Sequence, residues 1–430
     1  MRFDYDYVIV GGGMSADAAA RGIRELDPDG SIAILSEDVD EPYERPPLSK
    51  DLWRDADRSP GSVYLGTAEA ARADVRTSTR VTRVDRERHV VVANDDDEYG
   101  YRGLVLATGG RPRELDLPPS PRVVYYRSFG DYHRVRELAD EARSQAGDAD
   151  AGRVVVVGGG YIGTEVAAGV AMAGAPVTYL TSDPLPGAAT YPEVLARRIE
   201  ARYVEHGVDV VTRARVTGLE QTEPDRVVVH ADVDGSPVTL SGLGVVVGFG
   251  IEPNVELAVA AGIEVDEEQQ GVVVDEALRT SDPDVFAAGD IALYPDRLLG
   301  TRRVEHVDHA QQSGRTAGRN VAASVLGNEL GPYEHTPFYF SDIFDLGYEA
   351  VGVLDASLDL VEDWAPGAGG DTGVVYYVGT EESGDAGKLK GVLLWNVWDS
   401  TDAARELLAE FHEPGSVTGP DALRGRIPTT

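Results

Sequence analysis

The sequence predicts an α/β protein with two similar three-layer domains, followed by a C-terminal α+β domain. The length of 430 residues suits two or three domains of ordinary size. A strand, a glycine-rich turn and an alanine-rich helix follow one another twice, starting near Tyr7 and near Arg153. The last part of the chain, from Phe338 onward, alternates aromatic and β-branched residues as antiparallel strands do, and ends in the helical segment Thr401–Phe411.

The composition argues against several classes of protein. Acidic residues outnumber basic residues by 74 to 39, for a net charge of −35, and 42% of the residues are hydrophobic. This apolar content suits packed cores rather than a coiled coil or a disordered chain. Phosphate binding needs clustered Lys and Arg, so nucleic acid is not an expected partner. The dispersed acidity predicts a halophilic protein, because concentrated salt screens its self-repulsion.

The residue types and patterns that the sequence lacks limit the possible chemistry and the expected location. The chain has no cysteine, which excludes a disulfide framework, a thiolate-held metal or iron–sulfur cluster, and a redox dithiol. It has no apolar run of about 18 residues, so no membrane span is expected. Met1 leads directly into the apolar Val8–Val10 without a signal-peptide layout. We therefore expect a cytoplasmic protein.

Each glycine-rich turn lies between an apolar strand and a helix. The first follows Tyr7–Val10 and precedes a helix that reaches Leu26; the second follows the valine run after Arg153. In such turns the first glycine permits a tight bend, the second lets the backbone approach a pyrophosphate, and the third small residue allows close packing. The helix N-terminus then faces the phosphates. Two Rossmann-like dinucleotide-binding domains are therefore predicted, with these positions at Gly11, Gly13 and Ala16, and at Gly158, Gly160 and Gly163.

An acidic residue after the second strand of each copy is a candidate ligand for the adenosine ribose. Glu37 ends the strand Ser31–Leu35 of the first copy, a position suited to gripping ribose hydroxyls. A merely solvated Glu37 is the less favoured alternative. In the second copy Thr181 and Ser182 follow the strand, and Asp183 comes late. Asp183 favours NADH over NADPH only weakly, because no acid lies directly at the strand end.

Further segments make the chain resemble the two-dinucleotide flavoprotein reductases, in the branch of ferredoxin reductases and apoptosis-inducing factor. The Arg45-Pro46-Pro47-Leu48-Ser49-Lys50 and Arg303-Val304-Glu305-His306 segments are the most specific. The other matching segments are 41–44, 106–110, 250–254, 280–290, 340–342 and 347–350.

The resemblance implies FAD on the first turn, a nicotinamide cofactor on the second, and roles for individual residues. Toward the flavin it implies Arg45, Lys50, Val81, Arg127, Asp290, Glu305 and His306, with Phe340 where relatives often carry Trp. Toward the nicotinamide it implies Gly158, Gly159, Gly160, Tyr161, Ile162, Gly163, Gly250 and Glu349.

Lys50, Glu165 and His306 are the candidate catalytic residues. A buried cation near the ring would favour the negative charge that a flavin gains on reduction, and Lys50 is the candidate. A buried lysine needs a partner, and Glu165, expected across the interface between the two predicted domains, is the candidate; two separate surface charges are the alternative. His306 is equally compatible with a structural role at a helix start. Its neighbours Arg302, Arg303, Glu305, Asp308 and His309 superficially suggest a metal, which we do not expect.

Two other candidates have structural interpretations beside the functional ones. Asp290 is compatible with both a helix cap and a ribityl contact, because the two uses share one geometry. Tyr161 is equally compatible with a gate over the flavin and with simple packing. The predicted domains are residues 1–117 with 253–330 for FAD, 118–252 for NAD(P), and 331–430 for the C-terminal α+β domain.

The predicted function is a FAD-dependent NAD(P)H oxidoreductase without a redox disulfide. Electrons would pass from nicotinamide to flavin and on to a carrier such as ferredoxin or to a quinone. An NADH oxidase or peroxide-handling reductase is less favoured, because such relatives generally use a redox cysteine. A redox sensor with a long-lived flavin–NAD complex is the alternative from another class. A basic patch at Arg297, Arg302 and Arg303 is a weak candidate for carrier docking, and a homodimer is compatible with the sequence.

Overall fold

The computed structural model describes residues 1–94, 96–145, 152–367, 370–383, 385–412 and 419–429. The chain forms two compact units, each made of three separate stretches. The first unit comprises Met1–Arg45, Pro60–Arg111 and Glu252–Pro337, and the second comprises Pro46–Ser59, Pro112–Ile251 and Phe338–Thr430. The two glycine-rich turns lie in different units. The three-domain division of the chain stays a prediction.

The first unit is built on a five-stranded parallel sheet. Four of its strands are short and buried from end to end, as expected where both faces of a sheet are covered, and the edge strand Asp74–Arg76 is partly exposed. The strand before the first glycine-rich turn is central, so that turn lies at the carboxyl edge of the sheet. In spatial order the strands are Val285–Ala287, Gly103–Leu106, Tyr7–Val10, Ile32–Leu35 and Asp74–Arg76.

Two smaller sheets and four α-helices complete the first unit. One sheet contains Arg2–Asp4, Glu98–Gly100, Val90–Ala93 and Val81–Asp85, and the other Val265–Asp266, Gly271–Val273, Ala292–Asp296 and Gly300–Arg302. The α-helices are Met14–Leu26, Thr67–Ala70, Glu256–Ala260 and Val307–Leu326, with short 3₁₀ turns at Pro60–Val63 and Gly289–Ile291. Tyr7, Ile9, Leu104 and Phe286 are among the buried side chains of a core that spans the parallel sheet and its helices.

The second unit repeats the five-stranded parallel sheet. Its strands, in spatial order, are Val123–Tyr125, Gly244–Val247, Val154–Val157, Val177–Leu180 and Asp209–Val211. A three-stranded antiparallel sheet follows, made of Ala214–Glu223, Arg226–Val233 and Ser236–Gly242. The helices of this part are Pro46–Ser49, Asp51–Arg54, Phe129–Ser144, Tyr161–Met172 and Glu193–Glu205. The second glycine-rich turn thus also follows a central parallel strand.

The C-terminal part of the second unit is a five-stranded antiparallel sheet with helices. Its strands, in spatial order, are Phe338–Ile343, Leu346–Gly352, Leu389–Trp395, Gly373–Val378 and Asp359–Trp364. The helices Thr401–Glu410 and Pro420–Leu423 follow. Two remaining short strands, Gly110–Pro112 and Ile251–Pro253, span positions at which the chain changes unit. The predicted fold class, with two parallel-sheet nucleotide-binding folds and a C-terminal α+β part, is confirmed.

The segment 46–59 is fixed to the second unit by contacts of Trp53 and Leu48. The indole N–H of Trp53 donates to the carbonyl of Leu48 at 2.6 Å, and the Tyr126 hydroxyl donates to the same carbonyl. Gly169 admits the indole, because a Cβ there would lie 2.8 Å from Trp53 Cγ. Arg136 lies over the Trp53 ring at 4.8 Å. These contacts place Lys50 in the second unit.

No helix in the described ranges has both the length and the apolar character needed to cross a membrane.

In the first unit, glycines allow the helices Met14–Leu26 and Val307–Leu326 to pack at backbone distance. A Cβ on Gly318 would lie 2.0 Å from the carbonyl oxygen of Ala19, and a Cβ on Gly314 would lie 2.4 Å from that of Ser15. On the facing helix, a Cβ on Gly22 would lie 2.2 Å from the carbonyl oxygen of Arg315. A clash with backbone is costly because backbone cannot rotate away as a flexible side chain can.

Gly318→Ala is therefore expected to destabilise the first unit by about 1–3 kcal/mol. The measurement is chemical denaturation followed by circular dichroism. Gln311→Ala, at an exposed position of the same helix, is the control and should change the stability by no more than about 0.5 kcal/mol. Equal midpoints for Gly318→Ala and the parent chain would contradict the close helix packing.

Candidate functional site

The first glycine-rich turn has the backbone geometry that a bound phosphate needs. Gly11 has a φ of +118°, and a Cβ on it would lie 2.1 Å from the carbonyl oxygen of Ala107. Gly13 precedes the helix Met14–Leu26, and no atom of the described residues lies within 4 Å of the place where its Cβ would be. The small, buried Ala16 follows inside the helix. The helix N-terminus is therefore open to an anion.

A buried serine at this helix N-terminus fits the same ligand. Ser15 Oγ is buried and has no hydrogen-bond partner among the described residues. A Cβ on Gly289, which has a φ of +71°, would lie 3.0 Å from Ser15 Oγ. A buried hydroxyl is rarely left unpaired. An oxygen-rich ligand such as a pyrophosphate would supply the partner.

Asp290 lies in the turn that borders Ser15. The Gly289 N–H donates to Ser313 Oγ at 3.0 Å, and the Arg303 guanidinium donates to the Asp290 carbonyl at 2.9 Å. Asp290 belongs to the 3₁₀ turn Gly289–Ile291 rather than to an N-cap position. Asp290 is therefore not the N-cap residue of this turn, and its predicted ribityl contact stays a prediction.

Glu37 follows the strand Ile32–Leu35, whose end touches the first turn. A Cβ on Gly12 would lie 2.1 Å from Ser36 Oγ, so the strand end and the turn are in direct contact. The Glu37 side chain is 70% exposed and lies 3.6 Å from the Arg80 guanidinium. This position leaves the carboxylate accessible to a ribose.

The other predicted flavin residues of the first unit have varied surroundings. The Arg45 guanidinium lies 5.3 Å from the centre of the Tyr43 ring, and its backbone N–H donates to Met14 Sδ at 3.5 Å. Val81 is buried at the start of its strand. Glu305 pairs with Arg303 at 2.6 Å, and His306 is the N-cap residue of the helix Val307–Leu326. The helix-start interpretation of His306 is thus correct for its backbone, while its predicted role at the flavin stays a prediction.

His309 is fully buried beneath this helix start. Its Nδ1 lies 2.9 Å from the Tyr333 hydroxyl, and its ring stacks on Tyr294 with 4.7 Å between centres. Burial lowers the pKa of His309 to about 3, which keeps the ring neutral at pH 7. No group of three or more His, Asp or Glu side chains in the described part of the chain is arranged to hold a metal.

The second glycine-rich turn has the geometry of the first. Gly158 has a φ of +132°, and a Cβ on it would lie 2.2 Å from the Gly248 carbonyl oxygen. A Cβ on Gly163 would lie 2.1 Å from the Gly158 carbonyl oxygen, so only glycine allows the helix to approach the turn. At Gly160 no described atom lies within 4 Å of the Cβ position. The second helix N-terminus is equally open.

Asp183 reaches the second turn although it comes late in the sequence. A Cβ on Gly159 would lie 3.0 Å from Asp183 Oδ2 and 2.6 Å from Thr181 Oγ1. The Asp183 backbone N–H donates to Thr181 Oγ1 at 3.1 Å, which folds the chain back toward the glycines. Burial raises the pKa of Asp183. The carboxylate thus lies where the first turn has the Ser36–Glu37 strand end.

Tyr161 and Ile162 begin the helix of the second turn. The Tyr161 ring lies 5.9 Å from the buried Tyr339 ring, and burial raises the pKa of the Tyr161 phenol. Ile162 is 39% exposed. The packing interpretation of Tyr161 therefore has support in the structure. Ile162, by contrast, presents its side chain to solvent.

Lys50 and Glu165 form a buried ion pair. Lys50 Nζ lies 2.7 Å from Glu165 Oε2, and the two side chains are 9% and 1% exposed. Ser49 Oγ donates to the same carboxylate oxygen at 2.5 Å, and Ser341 Oγ donates to Oε1 at 2.5 Å. The ammonium also lies 5.3 Å from the centre of the Phe340 ring. The predicted contact of Lys50 with Glu165 is confirmed and the alternative of two surface charges is wrong, but the expected crossing of a domain interface is also wrong, because both residues lie in the second unit. Their catalytic roles stay predictions.

The remaining predicted residues of the second unit lie in three places. Glu349 is opposite Phe340 on the neighbouring strand, and its Oε2 is buried with no hydrogen-bond partner among the described residues. Burial, aided by Asp399, raises the pKa of Glu349. The Arg127 backbone N–H donates to the Asp131 carboxylate at 3.1 Å. Gly250 has a φ of +80°, and its carbonyl accepts from the Arg113 N–H at 3.0 Å.

The structure thus divides the residues that the resemblance assigns to the flavin. Arg45, Val81, Asp290, Glu305 and His306 belong to the first unit, whereas Lys50, Arg127 and Phe340 belong to the second.

Sequence reasoning missed Ser15, Ser49, Ser341 and His309 as possible members of the site. Ser49 stands next to Lys50 in the sequence, and Ser341 stands next to Phe340, but no local pattern shows that both reach Glu165.

Comparison with known proteins agrees with this geometry. The pyridine nucleotide-disulphide oxidoreductase family matches residues 5–314. The chain belongs to this family. Its predicted family, its oxidoreductase activity and its cofactors, FAD and a nicotinamide nucleotide, are confirmed.

Two curated relatives from different classes are similar to this family member. The ferredoxin–NAD(+) reductase component of the anthranilate 1,2-dioxygenase system of Burkholderia cepacia is 34% identical over 413 residues, covering 94% of each chain. A mitochondrial protein of Drosophila melanogaster named as apoptosis-inducing factor 1 is 31% identical over 394 residues, covering 83% of this chain. The match spans 51% of that relative, about half its length.

A solved structure extends the likeness to the whole fold. The ferredoxin reductase for the CYP199A2 system of Rhodopseudomonas palustris has a TM-score of 0.80 with 29% identity, and the match covers 97% of this chain and 96% of that one.

His309 gives a pH-dependent prediction. Its folded pKa of about 3 lies below the ordinary value of 6.5, so the unfolded chain binds a proton that the folded chain does not between these values. Stability should therefore fall as pH decreases from 6.5 toward 3, by up to about 1.4 kcal/mol per pH unit from this residue. His309→Phe keeps the ring packing and should reduce that slope. The measurement is the thermal midpoint at several pH values.

His230→Gln serves as the control, because the His230 side chain is 42% exposed. Its slope should match that of the parent chain. If His309→Phe also keeps the parent slope, the neutral, buried state of His309 is wrong.

Proposed function

We propose that this chain oxidises a nicotinamide nucleotide with FAD and passes the electrons to a ferredoxin-type carrier protein. The observation that carries the proposal is the buried Lys50–Glu165 pair beside a second glycine-rich turn, in a chain that already has a complete first turn. Burying a cation costs free energy, so a buried lysine at this position indicates a functional role. The family name mentions a disulphide, but the chain has no cysteine, so a dithiol relay is excluded.

We assign FAD to the first turn. Gly11, Gly13 and Ala16 would admit the pyrophosphate, with Ser15 Oγ as a further donor, and Glu37 would bind the ribose. Asp290 would hold the ribityl chain. From the resemblance, Arg45, Val81, Arg127, Glu305, His306 and Phe340 would contact the rest of the flavin. The unpartnered Ser15 hydroxyl supports the assignment, because it lies beside both the turn and the Asp290 loop.

We assign the nicotinamide nucleotide to the second turn. Gly158, Gly160 and Gly163 give the open helix N-terminus, while Gly159 borders Asp183. Tyr161, Ile162, Gly250 and Glu349 would lie toward the nicotinamide. The buried, unpartnered Oε2 of Glu349 supports a polar ligand there, because a carboxamide could supply its donor.

When bound, the two cofactors would supply hydride transfer and one-electron release, chemistry that the side chains of the protein cannot perform. The protein contributes position and charge. Lys50 would place a positive charge where the reduced flavin is negative, without any reorganisation at the moment of reaction. Glu165 holds the ammonium, and Glu165 is itself held by Ser49 and Ser341.

The acceptor is proposed from the relatives, since the curated bacterial relative and the solved structure are both named as ferredoxin reductases. Arg297, Arg302 and Arg303 are the candidate docking patch for an acidic carrier, and a quinone is the alternative acceptor. Cytoplasmic location, adaptation to salt and a homodimer stay predictions.

A redox-sensing role is the second candidate, favoured by the likeness to the apoptosis-inducing-factor relative. Turnover with NADH and an artificial acceptor separates the two functions. Rapid cycling supports the reductase. Slow cycling with a lasting long-wavelength charge-transfer band supports the sensor and would overturn the reductase.

Lys50→Met tests the proposed role of the cation. Loss of one preorganised charge should slow flavin reduction by NADH about 10-fold to 1,000-fold. The measurement is stopped-flow absorbance at the flavin band. Lys388→Met, which removes the partner of Asp385 on a different loop, is the control and should keep the parent rate. If flavin reduction is as fast in Lys50→Met as in the parent chain, Lys50 has no role in the reaction.

Asp183→Ala tests the nucleotide preference. A carboxylate beside the turn repels the 2′-phosphate of NADPH and accepts hydrogen bonds from the ribose of NADH. In the variant, the ratio of kcat/KM for NADH to that for NADPH should fall about 10-fold, which corresponds to about 1.4 kcal/mol. The measurement is the ratio of kcat/KM for the two nucleotides. An unchanged ratio would show that Asp183 does not contact the ribose.

A further inference from the structure

Two serine hydroxyls complete the environment of Glu165. Oε2 accepts from Lys50 Nζ at 2.7 Å and from Ser49 Oγ at 2.5 Å, while Oε1 accepts from Ser341 Oγ at 2.5 Å. The carboxylate is 1% exposed, so water contributes little to its hydrogen bonding. Three donors therefore offset the cost of burying this charge.

The arrangement restricts how Lys50 can bond. A carboxylate oxygen offers two lone pairs, and those of Oε2 are taken by Ser49 and Lys50. An ammonium has three donors. With Oε2 filled and Oε1 held by Ser341, Lys50 makes one bond to Glu165 and retains N–H groups for another acceptor. The Phe340 ring, 5.3 Å from Nζ, packs beside the same ammonium.

The composition shows that a lysine at this position is unusual for the chain. Of the 39 basic residues, three are lysines: Lys50, Lys388 and Lys390. Lys388 and Lys390 both pair with Asp385. Arginine serves almost everywhere else, yet the buried position has a lysine. The donors of an arginine guanidinium have fixed directions in one plane. The donors of a lysine ammonium rotate, so neighbouring groups must set their directions.

We propose that Ser49 and Ser341 are positioning residues that direct the Lys50 ammonium toward the flavin, by occupying one acceptor site on each oxygen of Glu165. This proposal rests on the proposed function for the identity of the acceptor. Ser341 comes from the C-terminal antiparallel sheet and Ser49 from the segment 46–59. The C-terminal part thereby contributes to the direction of the Lys50 charge within the second unit.

The scarcity of lysine makes the proposal directly measurable. In the full-length, flavin-loaded protein labelled with [¹³Cε]lysine, the ¹H–¹³C spectrum should show three lysine signals, and Lys50→Arg identifies that of Lys50. Ser341→Ala should shift the Lys50 signal and leave those of Lys388 and Lys390 in place. Ser341→Thr retains a hydroxyl and should restore the parent position. Ser400→Ala, which removes a hydroxyl elsewhere in the second unit, should change none of the three.

A kinetic measurement distinguishes positioning from simple structural support. Ser341→Ala and Ser49→Ala should each slow the reduction of bound flavin by NADH about 10-fold, with the Kd of NADH unchanged. The Thr variant should recover most of the rate. If the Lys50 signal stays in place in both Ala variants, or if their reduction rates equal that of the parent chain, the proposal is wrong.

Failure of the proposed function would look different. A parent protein that stays colourless with excess FAD, or that NADH does not reduce, would overturn the function. The effect of the two serines on the Lys50 signal could still be measured in that protein. If Ser341→Ala does not fold, Ser49→Ala tests the hydrogen bond to the other oxygen of Glu165, Oε2.

Discussion

The buried ion pair between Lys50 and Glu165 is the interaction on which the arrangement of the second unit depends. Two charges with exposed fractions of 9% and 1% are stable only if each satisfies the other and the remaining lone pairs are filled. Together with the contacts of Trp53 and Leu48, this ion pair holds the segment Pro46–Ser59 in the second unit, although its neighbours in sequence belong to the first. The requirement to fill the lone pairs also explains why serines from two separate segments converge on one carboxylate.

Close backbone approach is the constraint that the two nucleotide-binding folds share. In both turns the first glycine has a positive φ, and a Cβ on it would lie 2.1 Å or 2.2 Å from a carbonyl oxygen. A later glycine in each turn faces open space. The acidic residue near each turn has a different position. Glu37 lies two residues after Leu35, the last residue of its strand. Asp183 lies three residues after Leu180, the last residue of its strand, and its backbone N–H donates to Thr181 Oγ1.

Much of the fold followed from the sequence because its strands are short apolar runs and its turns are glycine-rich. The predicted strand Tyr7–Val10 has those bounds, and the predicted strand Ser31–Leu35 spans Ile32–Leu35. The helices Phe129–Ser144, Glu193–Glu205 and Val307–Leu326 were not predicted, since none directly follows a glycine-rich turn as Met14–Leu26 and Tyr161–Met172 do. At the site, the glycines and the Lys50–Glu165 pair could be predicted. Ser341 could not, because it lies 176 residues from Glu165 in the sequence.

The most direct test of this account is the midpoint potential of the bound flavin in a double-mutant cycle of Lys50→Met and Glu165→Gln. Lys50→Met should lower the potential by removing a positive charge, and Glu165→Gln should raise it by removing a negative charge; if the two side chains act as one unit, the shift in the double variant differs from the sum of the two single shifts. Additive shifts, or a Lys50→Met potential equal to that of the parent protein, would contradict the central role of the ion pair.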